Sequence, residues 1–569
     1  MNARETAFAS ANTKGGGKRF LGSEAGSGWL TGAVLITLGV LAPLVTLVLH
    51  ASSGTFEHWQ HLFDHVLPQA FLNTTLLLSG VAILVTALGV GAAWLITAYQ
   101  FPGRSILSWA LLLPLAVPTY IVAFAYLDIL HPIGPVQTWI RELLGYTSPR
   151  QFRLPDLRSL PGAIVLLGFV LYPYVYLSTR IMFATQAASL MEAARILGET
   201  GRGVFLRVAL PMARPAIAIG VSLALLEALN DIGASEFLGV QTLTVSVYTT
   251  WVTRNDLAGA AQIALAMLFV VALLVLLERR GRRRQRYASN LRARPVQPRP
   301  LHGTRALVAS ALGWAPVIIG FVAPAVYLCS ETINHLALAG SVSDQLLASA
   351  RNTLTVALVA TFFTVLCGVI VAWAARAVRH SHQPALARIC ARLSTTGYAI
   401  PGTVLAIGLL TPLIAFDGLL SYAAGILTDA EPSLWLMGSM GALVCAYVIR
   451  FLAISIGGVE SGLARIPPSL EQAARLLGES PAGTLRRVHL PLLRPAIGAA
   501  GLLVFVDAMK ELPATLLLRP AGFETLATWL YAEAARGTYE EGAVAALAIV
   551  LAGLVPVVLL ARSQLKPVY

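Results

Sequence analysis

Twelve stretches of about twenty mostly apolar residues, each closed off by polar connections, leave this chain little choice of fold. A bilayer core of about 30 Å takes roughly 20 residues of helix at about 1.5 Å each. Runs of that length lie near 29–50, 70–98, 105–130, 161–183, 216–238 and 259–277, then near 306–329, 351–375, 393–415, 434–456, 496–518 and 542–561. Hydrophobic residues make up 56% of the chain and charged residues 12%, and the mean hydropathy is +0.72. A soluble protein could not keep its surface charged with so few ionisable groups. The expected fold is an all-α polytopic membrane protein of about twelve transmembrane helices, six in each half.

Basic residues then orient the spans. The formal charge of +13 falls in short clusters between apolar runs, the cytoplasmic-loop bias of membrane proteins, and this counts against nucleic-acid binding. Lys14, Lys18 and Arg19 precede the first span, Arg104 follows the second, Arg195, Arg202, Arg207 and Arg214 follow the fourth, and Arg279 to Arg286 follow the sixth. The second half repeats the pattern with Arg376, Arg379, Arg388 and Arg392, then Arg465, Arg475, Arg486, Arg487 and Arg494, and finally Arg562 and Lys566. Both termini are therefore expected inside, and six spans per half make the two halves parallel repeats about an axis along the membrane normal. The boundaries are a tail over 1–28, read as leading into an uncleaved first span, a first half over 29–278, a proline-bearing basic linker over 279–305, a second half over 306–562 and a tail over 563–569. Cys329, Cys367, Cys390 and Cys445 lie far apart with no CxxC spacing, and read as apolar packing residues.

The halves share more than hydropathy. Residues 189–217 and 469–497 align without a gap at an offset of 280, and 17 of the 29 positions are identical. Each polar, arginine-bearing copy lies between the fourth and fifth spans of its half, inside the segments 185–215 and 460–495. Two such copies suggest one membrane unit duplicated and fused, with the same docking surface presented twice. In the first copy, 189–197 is helix-forming, Gly198 permits a turn, Gly203 to Val208 suit a second short helix, and Leu210-Pro211 closes it before Pro215 opens the next span. The bland alternative is an amphipathic connector on the lipid surface.

At these residues the chain resembles the inner-membrane permeases of binding-protein-dependent ABC importers. Their signature is Glu-Ala-Ala, three residues, Gly, nine residues, an aliphatic, one residue and Leu-Pro. It is matched by Glu192, Ala193, Ala194, Gly198, Val208, Leu210 and Pro211. The second copy keeps Ala473, Ala474, Gly478, Leu490 and Pro491, but Gln472 takes the glutamate position and Glu471 stands one residue earlier. Further echoes are Asn73-Thr74 with Asn352-Thr353, Ala93-Trp94 with Ala372-Trp373, and Pro118 with Pro401. In its fused layout and in the stretch from Lys510 to Thr515 the chain looks like the iron(III) permease subfamily. The resemblance implies a multi-pass subunit of the bacterial inner membrane with no cofactor of its own. It also implies a periplasmic or lipid-anchored binding protein, and two cytoplasmic ATPase subunits, carrying ATP and Mg, docked under the repeated loops. The sequence agrees, since no GxxxxGK[ST] occurs and Gly15-Gly16-Gly17-Lys18 lacks the final Ser/Thr. This chain is expected to be a transport subunit and not an enzyme.

Two charged groups remain. Glu57, His58, His61, Asp64 and His65 fall at helical spacing in the first outer loop and read as surface residues more readily than as metal ligands. Glu227 and Asp231 in the fifth expected span recur at the same offset as Asp507 and Glu511 in the eleventh, each pair i, i+4 and so on one helix face. A charge near mid-bilayer costs about 2.5–3.5 kcal/mol on insertion scales, so these four acids, with Lys510 neutralising one, are expected to flank a path for a cationic cargo such as ferric iron. The competing reading makes them helix caps or salt-bridge partners. Free ferric ion, a chelate, thiamine, polyamine and phosphonate all stay open as cargo, and a secondary transporter of the major facilitator kind shares the six-plus-six layout.

Overall fold

The computed structural model describes residues 21–54, 56–185, 188–282, 297–377, 384–428 and 434–565. Eleven of its helices are long and apolar enough to cross a bilayer: Gly28–Ser53, Leu67–Ala98, Leu160–Ala184, Gly201–Asn230, Leu257–Arg280, Thr304–Ala339, Asp344–Ala377, Gly402–Ile426, Met440–Ala464, Pro481–Met509 and Tyr539–Leu559. A further pair, Arg104–Ala116 and Thr119–Ile129, meets at an angle of 93°. Helix is the form that closes every backbone hydrogen bond within one segment, as hydrocarbon requires.

The bent pair is one broken span, which makes the total twelve. A side chain added at Gly80, Gly168 or Gly89 would strike Ile164, Leu84 or Val175, so the second and fourth spans run in the same direction. Their far ends meet, because Arg195, just past the fourth span, lies beside Tyr99, just past the second. The chain must therefore cross back between Gln100 and Leu160. It does so antiparallel to the fourth span: Ser108 O accepts from Tyr176 (2.7 Å) and Arg180 (2.8 Å), and Pro114 lies near Phe169 beside Gly320. The span expected near 105–130 is thus a bent one. Pro118 forces Val117 into an extended conformation (φ −106°, ψ 117°) and the helix cannot continue through it.

Other boundaries also move. The fifth and eleventh spans stop at Asn230 and Met509, short of the expected 238 and 518. Each is followed by a short helix, Gly233–Phe237 or Pro513–Leu518, and then by another, Leu243–Tyr248 or Leu526–Arg536. The ninth span runs over Gly402–Ile426, and the expected start at 393 belongs to a separate helix, Pro384–Ser394, divided from it by Pro401. The tenth shifts to Met440–Ala464, because Asp417 accepts backbone N–H groups from Trp435, Leu436 and Met437 and holds them outside any helix.

Contacts divide the chain into two compact units that do not follow the sequence repeat. The smaller takes in the described parts of Met1–Ala42, Leu358–Tyr398 and Tyr447–Phe505; the larger holds those of Pro43–Ala357, Ala399–Ala446 and Val506–Tyr569. In the smaller unit, Ala33 and Val40 of the first span pack with Val371, Ala374, Leu452 and Ile456 of the second half. Thr37 of the same span hydrogen-bonds Ser394 at 3.0 Å. In the larger unit the opposite exchange occurs: Gly313 and Gly320 of the seventh span sit against Leu107 and Phe169, and Tyr327 donates to Asp128 at 2.7 Å. The first helix of each half thus packs on the other half. Small residues permit the closest approaches, as at Gly458 against Ala500 and Gly368 against Ser455 in the smaller unit. Among the described residues the only strand pairing is a parallel two-residue ladder, Tyr99–Gln100 with Arg299–Pro300, which fastens the end of the linker to the end of the second span.

Candidate functional site: repeated loops and helix breaks

The two repeated segments fold alike, although they belong to different units. A helix, Ala188–Ile196 or Pro468–Leu476, ends at a glycine in the left-handed region, Gly198 at φ 90° or Gly478 at φ 87°. In the first copy Gly198 N donates to Arg195 O and Glu199 N to Ala194 O, both at 3.0 Å. In the second, Gly478 N donates to Arg475 O at 3.1 Å and Glu479 N to Ala474 O at 3.0 Å. This is a Schellman cap, and it explains why the signature spaces its glycine four residues after the second alanine. That alanine is the buried one: Ala194 and Ala474 face the protein, while Ala193 and Ala473 are exposed.

The next turn restarts the helix. Thr200 or Ser480 caps it by accepting from Gly203 N (3.2 Å) or Gly483 N (3.0 Å), and Glu199 or Glu479 reaches forward to pair with Arg207 or Arg487. The expected second short helix closed by Leu210-Pro211 is corrected here. The helix runs from Gly201 to Asn230 and passes through Leu210-Pro211 by way of one wide turn, Val204–Ala209, in which Leu210 N donates to Phe205 O. The second copy does the same over Leu485–His489, with Leu490 N donating to Leu485 O. A proline ring at 211 or 491 would clash with the carbonyl four residues back in an ordinary α-turn, and a wide turn removes the clash. The repeated tryptophans of the second and eighth spans pack on these wide turns: Trp94 lies 5.0 Å from Phe205 and Trp373 lies 4.7 Å from His489, ring centre to centre.

At its tip each loop presents apolar side chains outward. Ile196 and Leu197 are 86% and 85% exposed, and Leu476 and Leu477 are 89% and 86% exposed, so each loop tip carries two aliphatic side chains that touch almost nothing of this chain. Glu192 and Gln472 are exposed beside them. Glu471, one position earlier, turns inward to Arg376 (3.3 Å) and Arg475 (2.7 Å). Arg376 also donates to the carbonyls of Leu463 and Ile466, fastening the second loop to the eighth span. The first loop is seated differently, with Arg195 near Tyr99 and Arg299 of the two-residue ladder. Burial, with the like charge of Arg299 next, lowers its pKa from the usual guanidinium value. The departure of the second copy from the signature thus gives its carboxylate a tether in place of an exposed charge.

Gly198→Val or Gly478→Val places a β-branched residue at a left-handed φ, which costs at least about 1–2 kcal/mol of local strain. No neighbouring atom lies within 4 Å of the added Cβ, so the damage is confined to the turn. Transport should fall while the protein still inserts; wild-type uptake by either variant would show that the turn geometry is dispensable.

The second constellation lies in the larger unit, and it corrects the picture of four acids in two i, i+4 pairs. Asp231 stands beyond its helix, in an extended conformation, and caps the next short one: it accepts from Ser235 N (2.9 Å), Ala234 N (3.4 Å) and Thr119 Oγ1 (2.6 Å). Glu511 does likewise for Ala514 N (2.9 Å), Thr515 N (3.0 Å) and Thr515 Oγ1 (2.6 Å). Both carboxylates are buried. A short acceptor side chain followed by free N–H groups stops one helix and starts another, so neither acid shares a helix face with Glu227 or Asp507. Lys510 pairs with Asp507 at 2.9 Å, and both are partly exposed. The breaks approach each other, since a side chain at Gly233 would meet both Tyr120 and Leu512. Asn230 Oδ1 accepts from Gly402 N at 2.8 Å, and Tyr120 donates to Lys510 O at 3.4 Å, so the chain just after Pro118 and Pro401 closes around the breaks.

The Asn-Thr echo holds the segments after these breaks. Asn73 donates to Gln241 O (3.1 Å) and Thr74 accepts from Leu243 N (2.9 Å), while Asn352 donates to Glu524 O (3.0 Å) and Thr353 accepts from Leu526 N (2.8 Å). Sequence reading noticed the repeat of these residues and not their task. Of the histidine cluster, the side chains of Glu57, His58 and His61 lie outside the described residues, and among the described residues no group of three or more His, Cys, Asp or Glu could hold a metal ion.

Comparison with known proteins agrees with this geometry. The chain is 26% identical over 544 residues to the Fe(3+)-transport system permease protein FbpB 2 of Haemophilus influenzae, covering 95% of this chain and 99% of that one. It is 33% identical over 225 residues, 39% of this chain and 75% of the relative, to a putative 2-aminoethylphosphonate transport system permease protein PhnV of Salmonella typhimurium. It is 29% identical over 266 residues, 46% of this chain and 86% of the relative, to the sulfate transport system permease protein CysW of Escherichia coli. The family described as binding-protein-dependent transport system inner membrane component matches residues 85–287 and again 364–565. Each match contains one repeated loop and its following helix break, and the chain belongs to this family of ABC-importer permeases, as a multi-pass inner-membrane protein with both halves fused.

Proposed function

We propose that this chain carries iron(III) across the inner membrane as the permease of an ATP-driven importer, with a separate ATPase subunit under each repeated loop and a binding protein delivering cargo at the opposite end. The similarity to the Fe(3+) permease over 95% of the chain carries the cargo reading, because it spans both halves while the phosphonate and sulfate relatives align to less than half. Those two relatives favour a second reading, import of an oxyanion. The exposed aliphatic pairs at 196–197 and 476–477 support docking of a soluble partner. Both termini and both loops are placed on the cytoplasmic side, in keeping with the arginine clusters. Cysteine labels within 185–210, 280–300 and 470–490 should then react from the cytoplasm alone.

The pathway role narrows to Glu227, Asp507, Lys510 and Asn230, next to the breaks that Asp231 and Glu511 hold in shape. Coupled ATP hydrolysis would rock the halves and change the separation of these breaks. The decisive measurement reconstitutes the permease with its ATPase and binding protein, and compares hydrolysis stimulated by ferric, phosphonate and sulfate loading. Stimulation by ferric loading alone is the expected result. Uptake that survives ATP depletion at constant proton-motive force would instead make the protein a secondary transporter.

A further inference from the structure

Between the third and fourth spans lies a helix that is built inside out. Pro135–Leu143 turns Gln137 and Arg141 inward, 2% and 5% exposed, and leaves Glu142 exposed. Gln137 donates to Leu130 O (2.7 Å) and accepts from Leu154 N (3.0 Å), while Arg141 donates to Pro132 O (2.7 Å) and Thr138 Oγ1 (3.0 Å). Its outward face carries Trp139 and Leu143, 62% and 70% exposed and one turn apart, with Ile133 just before the helix 73% exposed. In water this arrangement is upside down, because an isolated surface helix turns its apolar stripe to the core.

The position of the helix says what covers that face. Residues 130–160 lie at the end of the fourth span opposite the repeated loop, and Gln137 is bonded to Leu130, where the third span stops. The helix is thereby held at the level where two membrane-crossing helices end. Tryptophan with long aliphatic residues on one face suits the boundary between headgroups and acyl chains, where such helices sink by roughly 5–10 Å. Arg150 stands exposed on the stretch that follows, a charge suited to anionic phosphate headgroups. We infer that Pro135–Leu143 is a monotopic foot that lies in the membrane interface, with Trp139 and Leu143 embedded among the lipids, Gln137 locking its underside to the end of the third span and Arg141 to the loop that follows. The inference rests on the membrane-spanning character of the chain and is independent of the cargo.

The test uses the full chain, free of its native cysteines and carrying Leu143→Cys or, as a control in the polar loop, Asp156→Cys, each labelled with an environment-sensitive fluorophore in lipid nanodiscs. Phosphatidylcholine brominated near the headgroup should quench the label at 143 more than lipid brominated near the chain ends, and aqueous iodide should quench it little. The label at 156 should respond to iodide and not to bromolipid. Free iodide access at 143 with no bromolipid quenching would overturn the assignment. So would iodide protection that appears only when the periplasmic binding protein is added, which would make this face a protein-docking surface. ATP hydrolysis measured in the same discs reports separately on importer function.

Discussion

Replacing Leu476 and Leu477 together by aspartate should abolish recovery of the ATPase with the permease and reduce ATP-driven uptake to background, with the protein still inserted in normal amount. Both side chains are almost fully exposed, so the fold loses almost nothing with them. Burying a leucine in a partner contributes about 1.5–3 kcal/mol, and a pair about 3–6 kcal/mol, which is roughly a hundred- to ten-thousandfold in affinity. Aspartate adds the cost of forcing a charge into that contact. Ile196→Asp with Leu197→Asp should do the same at the other loop, and the double alanine variants should fall between. Recovery of the ATPase at wild-type levels by all of these variants would leave the loop tips without a docking role.

The second large effect separates scaffold from pathway. Asp231→Ala and Glu511→Ala each remove a buried carboxylate that satisfies at least three donors. A lost helix cap costs about 1 kcal/mol and hydrogen bonds to a charged group more, so a loss of about 2–4 kcal/mol is expected. Both variants should melt at clearly lower temperature in detergent. Asp507→Asn leaves the backbone unchanged and removes the ion pair with Lys510, so it should melt near the wild type and alter uptake instead. If Glu511→Ala melted normally yet lost transport, the carboxylate would be acting on cargo and not holding a turn.

Much of this was legible because hydrophobicity in a bilayer is a length requirement, and twelve runs of suitable length can be read directly from composition. The repeated loops were legible because their signature is geometric: a glycine at φ near 90° admits few substitutes. The helix breaks were marked in the sequence by Asn230-Asp231 and by Lys510-Glu511 before Pro513, but the acids read equally well as charges inside a continuous span. The burial of each carboxylate against the next short helix decides between the two readings. The exchange of first helices was hidden. Every span offers a lipid-compatible surface, so hydropathy cannot say which neighbour it chooses. Leu476 and Leu477 read as ordinary aliphatic residues at the end of a helix until their exposure is known.

The unlike seating of the two loops has a mechanical consequence. The second is bolted through Glu471 and Arg376 to the eighth span, whereas the first has Arg195 beside Tyr99 and the like-charged Arg299, where the linker joins the second span. Partners pressing on the two matching tips would meet different attachments, one through an ion pair to a span and one without it. Fusion into a single chain makes that inequality permanent, because neither half can be replaced by a second copy of the other. A stroke driven equally at both tips is then expected to be unequal on its two sides.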